Sequence, residues 1–197
     1  MPSRTVGRRS LVQHAGLLAA AAPAAPAGAF DARKYTALAP LGRASSIGGD
    51  KRTGLDLEEL ASILKRDITE GATGRGSYLI TGDITPEIFR DDCRFVDPTN
   101  VEQSLSRYVK ALGILFVPSR STLELLDSPT VDQEAHTIRA QYRASGVLKL
   151  PWRPRISPYD ATLTWSVDTD GLIAEQSQTW SISAFDALRE TFTPGLL

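Results

Sequence analysis

The stretch TPEIFRDDCRFVDPTNVEQSLSRYVKALGILF, residues 85 to 116, contains the elements around which the rest of the chain is arranged. A short helix is predicted to begin at Thr85, where a hydroxyl cap is followed by a proline and then by an acid that faces the positive helix end. Apolar and polar residues then alternate up to Asp97, which predicts a strand, and Pro98 ends it because proline cannot donate to the ladder.

A second, longer helix is predicted to begin at Asn100. Asn100 and Gln103 have the spacing of a capping box, in which each side chain bonds to the backbone N–H of the other. One face of this helix carries residues at helical spacing, namely Val101, Leu105, Tyr108, Val109, Leu112, Leu115 and Phe116. We therefore expect this helix to pack on the core of the domain.

Size and composition favour one compact domain with extensions, since 42% of the 197 residues are hydrophobic and 23% are charged. The formal charge of -1 comes without a long basic stripe, which argues against binding to nucleic acid. A single cysteine excludes an internal disulfide, and two histidines are too few for a Cys/His zinc cluster. We expect neither a metal nor another cofactor.

Residues 1 to 29 form a predicted targeting segment with three arginines, no acid and an apolar, alanine-rich run. The pair Arg8-Arg9 directly before this run is typical of twin-arginine export, and small residues before Phe30 offer a cleavage site. The alternative is a membrane anchor. It is less well supported, because a spanning helix needs ~20 strongly apolar residues, whereas alanines and two prolines dominate this run.

Residues 30 to 54 lack a sustained period and are rich in Ala, Gly and Ser, which predicts a flexible linker. The globular domain is predicted to cover residues 55 to 194. Its first helix begins with a capping box made by Asp56 and Glu59 and ends before Gly71. The glycines at 71, 74 and 76 indicate a loop after this helix, because no strand precedes them and no Gly-Lys-Ser/Thr follows, as a phosphate loop would require.

The second half of the domain has the period of long strands. Strands are predicted at Thr122 to Leu126, His136 to Val147, Ala161 to Val167 and Leu172 to Ile182, followed by a short helix from Ala184 to Glu190. The last two strands form a hairpin, because Asp170-Gly171 between alternating segments is a strong turn signal. Gly146 indicates a bulge, and the proline-rich segment 150 to 155 is predicted to be a loop.

Two glutamines interrupt the apolar face of this hairpin. The predicted inner face carries Leu163, Trp165, Val167, Leu172, Ala174, Gln176, Gln178, Trp180 and Ile182. Each buried, unpaired amide costs ~1–3 kcal/mol, so Gln176 and Gln178 must have partners. These partners are either a ligand and water in a pocket, or other side chains in a structural network.

The chain resembles the nuclear transport factor 2-like and SnoaL-like superfamily over about residues 57 to 194, and within it a plant and algal branch of mostly plastid-targeted proteins. The residues that carry the resemblance include Tyr78, Thr81-Gly82, Asp92-Cys93, Asp97-Pro98-Thr99, Arg107-Tyr108, Pro151-Trp152-Arg153-Pro154, Gly171-Leu172-Ile173, Gln178, Trp180 and the segment 187 to 192. The resemblance implies a cone-shaped α+β fold, in which a curved antiparallel sheet wraps around a long helix and shorter N-terminal helices. It also implies a pocket between the sheet and the long helix.

In such a pocket Asp97 is the candidate general base, because burial among apolar walls raises the pKa of a carboxylate, and Tyr142 is the candidate hydroxyl donor. The alternative role for Asp97 is structural, since an aspartate before Pro98 can accept the free N–H groups of the turn that follows. Core packing is likewise the alternative for Tyr142. The predicted ligand-binding side chains are Tyr108, Trp165, Gln176, Gln178 and Trp180.

The superfamily contains isomerases, dehydratases, cyclases and binding domains on one scaffold, so the resemblance leaves two functions open. The first is a domain of the chloroplast, in the thylakoid lumen after twin-arginine export, that binds an apolar small molecule or a protein partner without catalysis. The second is a lyase, isomerase or cyclase that uses Asp97 as its base. The fold also leaves open a protein partner or a homodimer through the sheet, and no stable membrane span is expected.

Overall fold

Residues 41 to 195 are described by a computed structural model. The predicted targeting segment, and the first part of the predicted linker, lie outside the described residues. In chain order the elements are α1 (Leu57–Thr69), α2 (Tyr78–Thr81), a 3-10 turn (Pro86–Ile88), β1 (Phe89–Val96), β2 (Val101–Glu102), α3 (Leu105–Leu115), a 3-10 turn (Pro118–Arg120), β3 (Thr122–Leu125), β4 (Thr130–Asp132), β5 (Thr137–Val147), β6 (Arg155–Val167), β7 (Ile173–Trp180) and α4 (Ala184–Phe192).

The strands form one curved, unclosed sheet in the order β2-β1-β7-β6-β5-β3, and β4 also pairs with β5. All pairs are antiparallel except β1 with β7, which run parallel. The inner face of the sheet packs against α1, α2 and α3 in one hydrophobic core. The predicted α+β class, a curved sheet wrapped around helices, is therefore confirmed. No helix in residues 41 to 195 is both long and apolar enough to cross a membrane.

Helix α1 begins as the sequence predicts. The N–H of Glu59 donates to Asp56 Oδ1 at 2.8 Å, and the N–H of Asp56 donates to Glu59 Oε2 at 3.1 Å, which completes the capping box. The buried apolar side of the helix carries Leu57, Leu60, Ala61, Leu64 and Ile68. This side covers β3, β4 and β5.

The predicted helix start at Asn100 is wrong, and so is its capping box. The N–H groups of Thr99 and Asn100 donate to Asp97 Oδ1 at 2.7 and 2.9 Å, so this carboxylate closes a tight turn. The turn sends residues 101 and 102 back along β1 as strand β2. Helix α3 begins only at Leu105, where Ser104 provides the N-cap side chain. An aspartate that bonds to its own following backbone competes with helix formation, and here the turn prevails.

The helix predicted to begin at Thr85 is a single 3-10 turn. Thr85 does not cap it, because its backbone N–H donates to Asp67 Oδ2 at 2.6 Å and its hydroxyl donates to Asp67 Oδ1 at 3.1 Å. Asp67 is fully buried in α1, and burial raises its pKa although these hydrogen bonds and Arg66 act to lower it. The hydroxyl thus serves a tertiary contact that the local sequence does not reveal.

Two bulges set which side chains face inward. The first lies opposite Gly146, where β5 advances two residues from Ala144 while β6 advances three from Tyr159 to Ile156, so the extra residue is in β6. The second lies in β7, where Val167 pairs with Ile173 but Ser166 pairs with Glu175, so Ala174 is an extra residue. Because of this bulge, Ile173 is fully buried on the inner face. The strict alternation of the predicted strand had assigned that face to Ala174 instead.

The described part of the predicted linker, residues 41 to 54, lies against the domain. The ammonium of Lys51 lies 2.8 Å from a carboxylate oxygen of Asp91. The backbone N–H of Arg52 donates to the carbonyl of Glu87, and that of Gly54 donates to the carbonyl of Asp170, each at 2.9 Å. These contacts connect the segment to β1 and to the turn between β6 and β7.

Candidate functional site

The register of the sheet arranges the inner side chains in rows across the strands. The first row holds Phe95, Gln176, Trp165 and Ile138, the second holds Gln178, Leu163 and Ala140, the third holds Trp180, Ala161 and Tyr142, and the fourth holds Tyr159 and Ala144. Exposure rises along this series, because Trp165 and Gln176 are buried whereas Trp180 and Tyr159 are half-buried. The candidate site therefore has a closed end and an open end.

A closed network fills the first row. Gln176 is only 2% exposed, and its Oε1 accepts hydrogen bonds from the Tyr78 hydroxyl and from Trp165 Nε1, each at 2.9 Å. Its Nε2 donates to the Tyr108 hydroxyl at 2.8 Å. Both lone pairs of the amide oxygen are thus used, which fixes the orientation of the amide. We call Tyr78, Tyr108, Trp165 and Gln176 the closed network.

Two helices bring the tyrosines of the closed network to the sheet. Tyr78 begins α2, and Tyr108 lies in α3 with its ring stacked on Phe95, the centroids being 3.8 Å apart. The two helices approach closely at Gly82, which has a φ of +76° and where a Cβ atom would lie 2.7 Å from the carbonyl oxygen of Val109. Only glycine fits this position, so it permits both tyrosines to reach one glutamine.

An open layer lies in the rows beyond, and we define it as Tyr142, Tyr159, Gln178 and Trp180. Gln178 Nε2 donates to the Tyr142 hydroxyl. The ring of Tyr159 packs edge-on against both Tyr142 and Trp180, with centroid distances of 6.4 and 6.0 Å. Of these four side chains only Tyr142 is fully buried, so the layer presents an aromatic wall that is partly open.

The indole N–H of Trp180 is buried and has no hydrogen-bond partner in the described part of the chain. The other two indoles are paired, since Trp152 Nε1 donates to the carbonyl of Thr191 at 2.8 Å and Trp165 Nε1 donates to Gln176. Buried indole N–H groups usually have a partner. A buried donor without a partner calls for an explanation, and a bound water or a ligand would supply one.

Asp97 lies directly after β1, beside Gln178 in the continuation of the parallel ladder. Among residues 41 to 195, only Thr99 and Asn100 donate hydrogen bonds to the Asp97 carboxylate. All three of these bonds go to Oδ1. Burial raises the pKa of Asp97, although these hydrogen bonds act to lower it. Asp97 therefore holds the turn, which is the structural alternative that the sequence suggested. Its charge also raises the pKa of Tyr159 in the open layer, after the larger effect of burial.

The structure thus separates the residues that the sequence singles out. Trp165, Gln176 and Tyr108 belong to the closed network, whereas Gln178, Trp180 and Tyr142 belong to the open layer. Sequence reasoning missed Tyr159, which follows from extending the inner-face alternation of β6 backwards from Ala161. It also gave no role to Tyr78, whose hydroxyl reaches Gln176 across 98 positions of the chain. A contact between residues so far apart in the chain cannot be predicted from a local sequence pattern.

A cleft of about 410 Å³ lies elsewhere, at the edge strand β4, and is lined by Thr130, Val131, Asp132, Gln133 and Arg139. It contains none of the predicted site residues. Four of its five lining residues are polar and it lacks aromatic walls, so it does not resemble the largely apolar pockets that hold small molecules. The open layer is the better candidate.

Comparison with solved structures finds similar arrangements at low sequence identity. BvnE pinacolase from Penicillium brevicompactum is 11% identical with a TM-score of 0.45, and the match covers 70% of this chain and 92% of that one. An NTF2-like protein from Burkholderia thailandensis is 14% identical with a TM-score of 0.43, covering 56% and 83%. A SnoaL-like family protein from Agrobacterium tumefaciens is 14% identical with a TM-score of 0.35, covering 49% and 76%. NTF2-like and SnoaL-like proteins, which the sequence resembles, are thus among these structures.

Comparison with curated protein sequences finds no match. A family model described as "Uncharacterized conserved protein (DUF2358)" matches residues 77–176, just over half of the 197 residues. The matched segment begins one residue before Tyr78 and ends at Gln176, so it contains the whole closed network. The chain therefore belongs to the DUF2358 family of conserved proteins.

Proposed function

We propose that the open layer binds an apolar small molecule and does not transform it. The observation that carries this proposal is the buried indole N–H of Trp180, which has no partner in residues 41 to 195. A buried donor without a partner costs ~1–3 kcal/mol, and a ligand that accepts a hydrogen bond from it recovers this energy on binding. The half-buried rings of Tyr159 and Trp180 supply the apolar contact area that such a ligand needs.

The hydrogen bonds of the Asp97 carboxylate support a binding role without turnover. Oδ1 of Asp97 is engaged in the turn before β2, where it accepts three hydrogen bonds from two residues. The tyrosine hydroxyls nearby stay protonated at neutral pH, because burial raises the pKa of Tyr108, Tyr142 and Tyr159. The layer thus offers hydrogen bonds, but no second titrating group that would complete an acid/base pair with Asp97.

The experiment is a thermal unfolding screen of the full chain with plastid isoprenoids, pigments and lipids. A saturating ligand is expected to raise the melting temperature of the native protein, since at 100 times Kd binding stabilises the folded state by about 2.7 kcal/mol. Trp180→Phe should reduce this rise. Trp152→Phe is the matched control, because its indole already donates to Thr191. If no compound raises the melting temperature, or if Trp180→Phe responds like the native protein, the proposal is wrong.

A second candidate function is a lyase, isomerase or cyclase with Asp97 as general base. It is favoured by one observation, namely that burial raises the pKa of Asp97 towards the range in which a carboxylate can abstract a proton. Asp97→Asn tests it cleanly, because the amide oxygen still accepts from Thr99 and Asn100 and holds the turn. Loss of turnover with an unchanged melting temperature is expected. Turnover that survives the substitution would contradict this role.

We also propose that the protein acts in the chloroplast, in the thylakoid lumen after twin-arginine export. The pair Arg8-Arg9 before the alanine-rich run supports this, as does the resemblance to plastid-targeted proteins. N-terminal sequencing of the protein isolated from its own cells should find a start near Phe30. An intact Met1, or a start near Gly54, would contradict export processing at that site.

A homodimer through the outer face of the sheet is proposed as an alternative use of the fold. That face carries ion pairs, Arg143 with Asp160 at 2.7 Å and Arg94 with Glu175 at 2.5 Å. Because these side chains are partly exposed, a partner could rearrange them at modest cost. Sedimentation equilibrium of the full chain should give twice the monomer mass at micromolar concentration. A monomer mass would contradict the dimer and leave the ligand proposal in place.

A further inference from the structure

We infer that helix α4 and the basic loop beside it attach the protein to the surface of a membrane that contains anionic lipids. We define the docking face as the outer side of α4, with Phe185, Leu188 and Phe192, together with the loop of residues 149 to 155. The inference goes beyond the proposed function, because it concerns the attachment of the protein to lipid and not the contents of the open layer.

The outer side of α4 is apolar and open to solvent. Phe185 and Phe192 are 74% and 47% exposed, and Leu188 between them is half-buried. The spacing of these three residues, i, i+3 and i+7, places them on one side of the helix. Single exposed apolar side chains are common on protein surfaces, whereas a group of them on one side of an element marks a contact site.

Hydrogen bonds to β6 and to the loop before it fix the orientation of α4. A carboxylate oxygen of Glu190 accepts from the backbone N–H of Ser157 at 3.0 Å, and the carbonyl of Thr191 accepts from Trp152 Nε1 at 2.8 Å. After the helix, the N–H of Gly195 donates to the carbonyl of Trp152 at 3.1 Å. Turning the phenylalanines inward would break these bonds, so the helix holds them outward.

The loop beside α4 is positively charged. Residues 145 to 159 contain Lys149, Arg153 and Arg155 but no acid, and all three basic side chains are exposed. None of the three forms an ion pair within residues 41 to 195. Their charge is therefore available to an anionic partner.

The acids of α4 do not cancel this charge. Asp186 lies 3.3 Å from the guanidinium of Arg189, and Glu190 is engaged with Ser157. Two acidic residues and one basic residue in α4 stand against three basic residues in the loop, so the docking face as a whole is positive.

A lipid bilayer fits both the apolar and the basic part of this face. At a bilayer surface, Phe and Leu side chains insert at the boundary of the acyl chains, while Lys and Arg are attracted to anionic headgroups. Two phenylalanines bury at most ~500 Å² between them, whereas each partner in a stable protein interface buries ~800 Å². A protein partner would need further apolar surface, which the basic loop does not provide.

Attachment through α4 would bring the open layer next to the membrane. The N–H of Ser181 donates to the carbonyl of Asp160 at 2.7 Å, so the chain between Trp180 and α4 follows the open end of the sheet beside Tyr159. An apolar ligand would then reach the layer directly from the lipid. This consequence rests on the proposed function, whereas the attachment itself does not.

The test measures binding of the full chain to vesicles of phosphatidylcholine, with and without phosphatidylglycerol, by flotation at about 0.1 M salt. The native protein is expected to bind the anionic vesicles about tenfold more tightly than the neutral ones. Phe185→Ser removes the most exposed phenylalanine and should weaken binding to anionic vesicles about tenfold. Arg155→Glu should weaken it by at least as much, because it reverses one charge of the loop.

Each variant has a matched control at a distance from α4. Val101→Ser replaces another exposed apolar residue, and Arg139→Glu reverses another exposed arginine. The partner of Arg139 in β6 is Thr164, which lies ~30 Å from Arg155 along that strand. Both controls should bind the anionic vesicles like the native protein.

The inference is overturned if the native chain does not prefer anionic vesicles, or if either control loses as much binding as its counterpart. It is also overturned if Phe185→Ser and Arg155→Glu bind like the native chain, because another part, such as residues 1 to 29, then holds the lipid. Self-association that Phe185→Ser abolishes, without vesicle binding, would assign the face to a second copy. Melting temperatures check the folding of each variant, and if Phe185→Ser is unfolded, Arg155→Glu against Arg139→Glu decides. None of these outcomes bears on ligand binding by the open layer.

Discussion

The indole nitrogen of Trp165 lies 2.9 Å from Oε1 of Gln176, and this contact separates the closed part of the inner face from the open part. The same oxygen accepts from the Tyr78 hydroxyl, and Nε2 of Gln176 donates to the Tyr108 hydroxyl, so three side chains from three elements depend on one amide. Gln178, two positions along the same strand, has a single such partner in Tyr142 and is only half-buried. Two glutamines on one face of β7 therefore have different roles.

The first prediction compares these glutamines. Gln176→Leu leaves the hydroxyl of Tyr78 and the indole N–H of Trp165 buried without an acceptor, so it should lower the free energy of unfolding by about 3 kcal/mol. Gln178→Leu leaves no donor stranded and should cost less than ~1 kcal/mol. Urea denaturation of both variants measures the difference. Equal losses would mean that the closed network and the open layer are not distinct.

The second prediction concerns the approach of α2 to α3. Gly82→Ala places a methyl group against the carbonyl of Val109, and it also forces alanine into a positive φ. Gly74 has a similar φ of +79° but nothing lies within 4 Å of its Cβ position, so Gly74→Ala is the matched control. We expect Gly74→Ala to cost about 1 kcal/mol and Gly82→Ala about 3 kcal/mol, because a backbone contact cannot yield.

The measurement is again urea denaturation, combined with the near-ultraviolet circular dichroism of the buried aromatic side chains. Gly82→Ala should alter the dichroism, since it moves the helices that carry Tyr78 and Tyr108, whereas Gly74→Ala should not. Equal costs for the two alanines would show that the contact with Val109 does not hold the helices.

The third prediction concerns pH. The Asp83 carboxylate is buried, and burial alone raises its pKa, but hydrogen bonds from Arg75 and Thr73 prevail and lower it from 3.8 to about 2. A lowered pKa means that the unfolded chain binds the proton more tightly. The stability that Asp83 contributes is therefore present above pH 3.8 and is lost as the pH falls through 2.

Between pH 5 and pH 2 this loss amounts to about 2 kcal/mol. Asp83→Asn cannot titrate, so it should be less stable than the native protein at pH 5, and the gap between the two should narrow by about that amount at pH 2. Denaturant melts at several pH values measure the gap. A gap that stays constant with pH would show that Asp83 is not ionised in the way described.

How far the sequence predicts this fold depends on whether a pattern is local. The capping box of Asp56 and Glu59 is set by neighbours in the chain, and its prediction is confirmed. The irregularity predicted at Gly146 is present, but its extra residue lies in the paired strand β6. The prediction at Asn100 is wrong because two local structures compete there. The same residue can cap a helix or donate to Asp97, and the turn wins once β2 can pair with β1.

The candidate site was predictable to a smaller extent. Alternation along β7 correctly places Gln176 and Gln178 on the inner face, and the cost of an unpaired amide correctly implies that each has a partner. Which partner each has is decided by long-range contacts, from Tyr78 and Tyr108 in one case and from Tyr142 in the other. Hydrogen bonds between such distant residues leave no period in the sequence.

The central claim is that the N–H of Trp180 is an unpaired donor that a ligand satisfies, and the indole signals in a ¹H–¹⁵N spectrum test it most directly. The chain has three tryptophans, so three signals are expected, each assigned by its Trp→Phe variant. On addition of a compound that carries a hydrogen-bond acceptor and raises the melting temperature, the Trp180 proton should move downfield, as a newly hydrogen-bonded proton does, while the signals of Trp152 and Trp165 stay in place. A Trp180 signal that does not move at saturating ligand, or that already lies as far downfield as the other two in the free protein, would contradict the account.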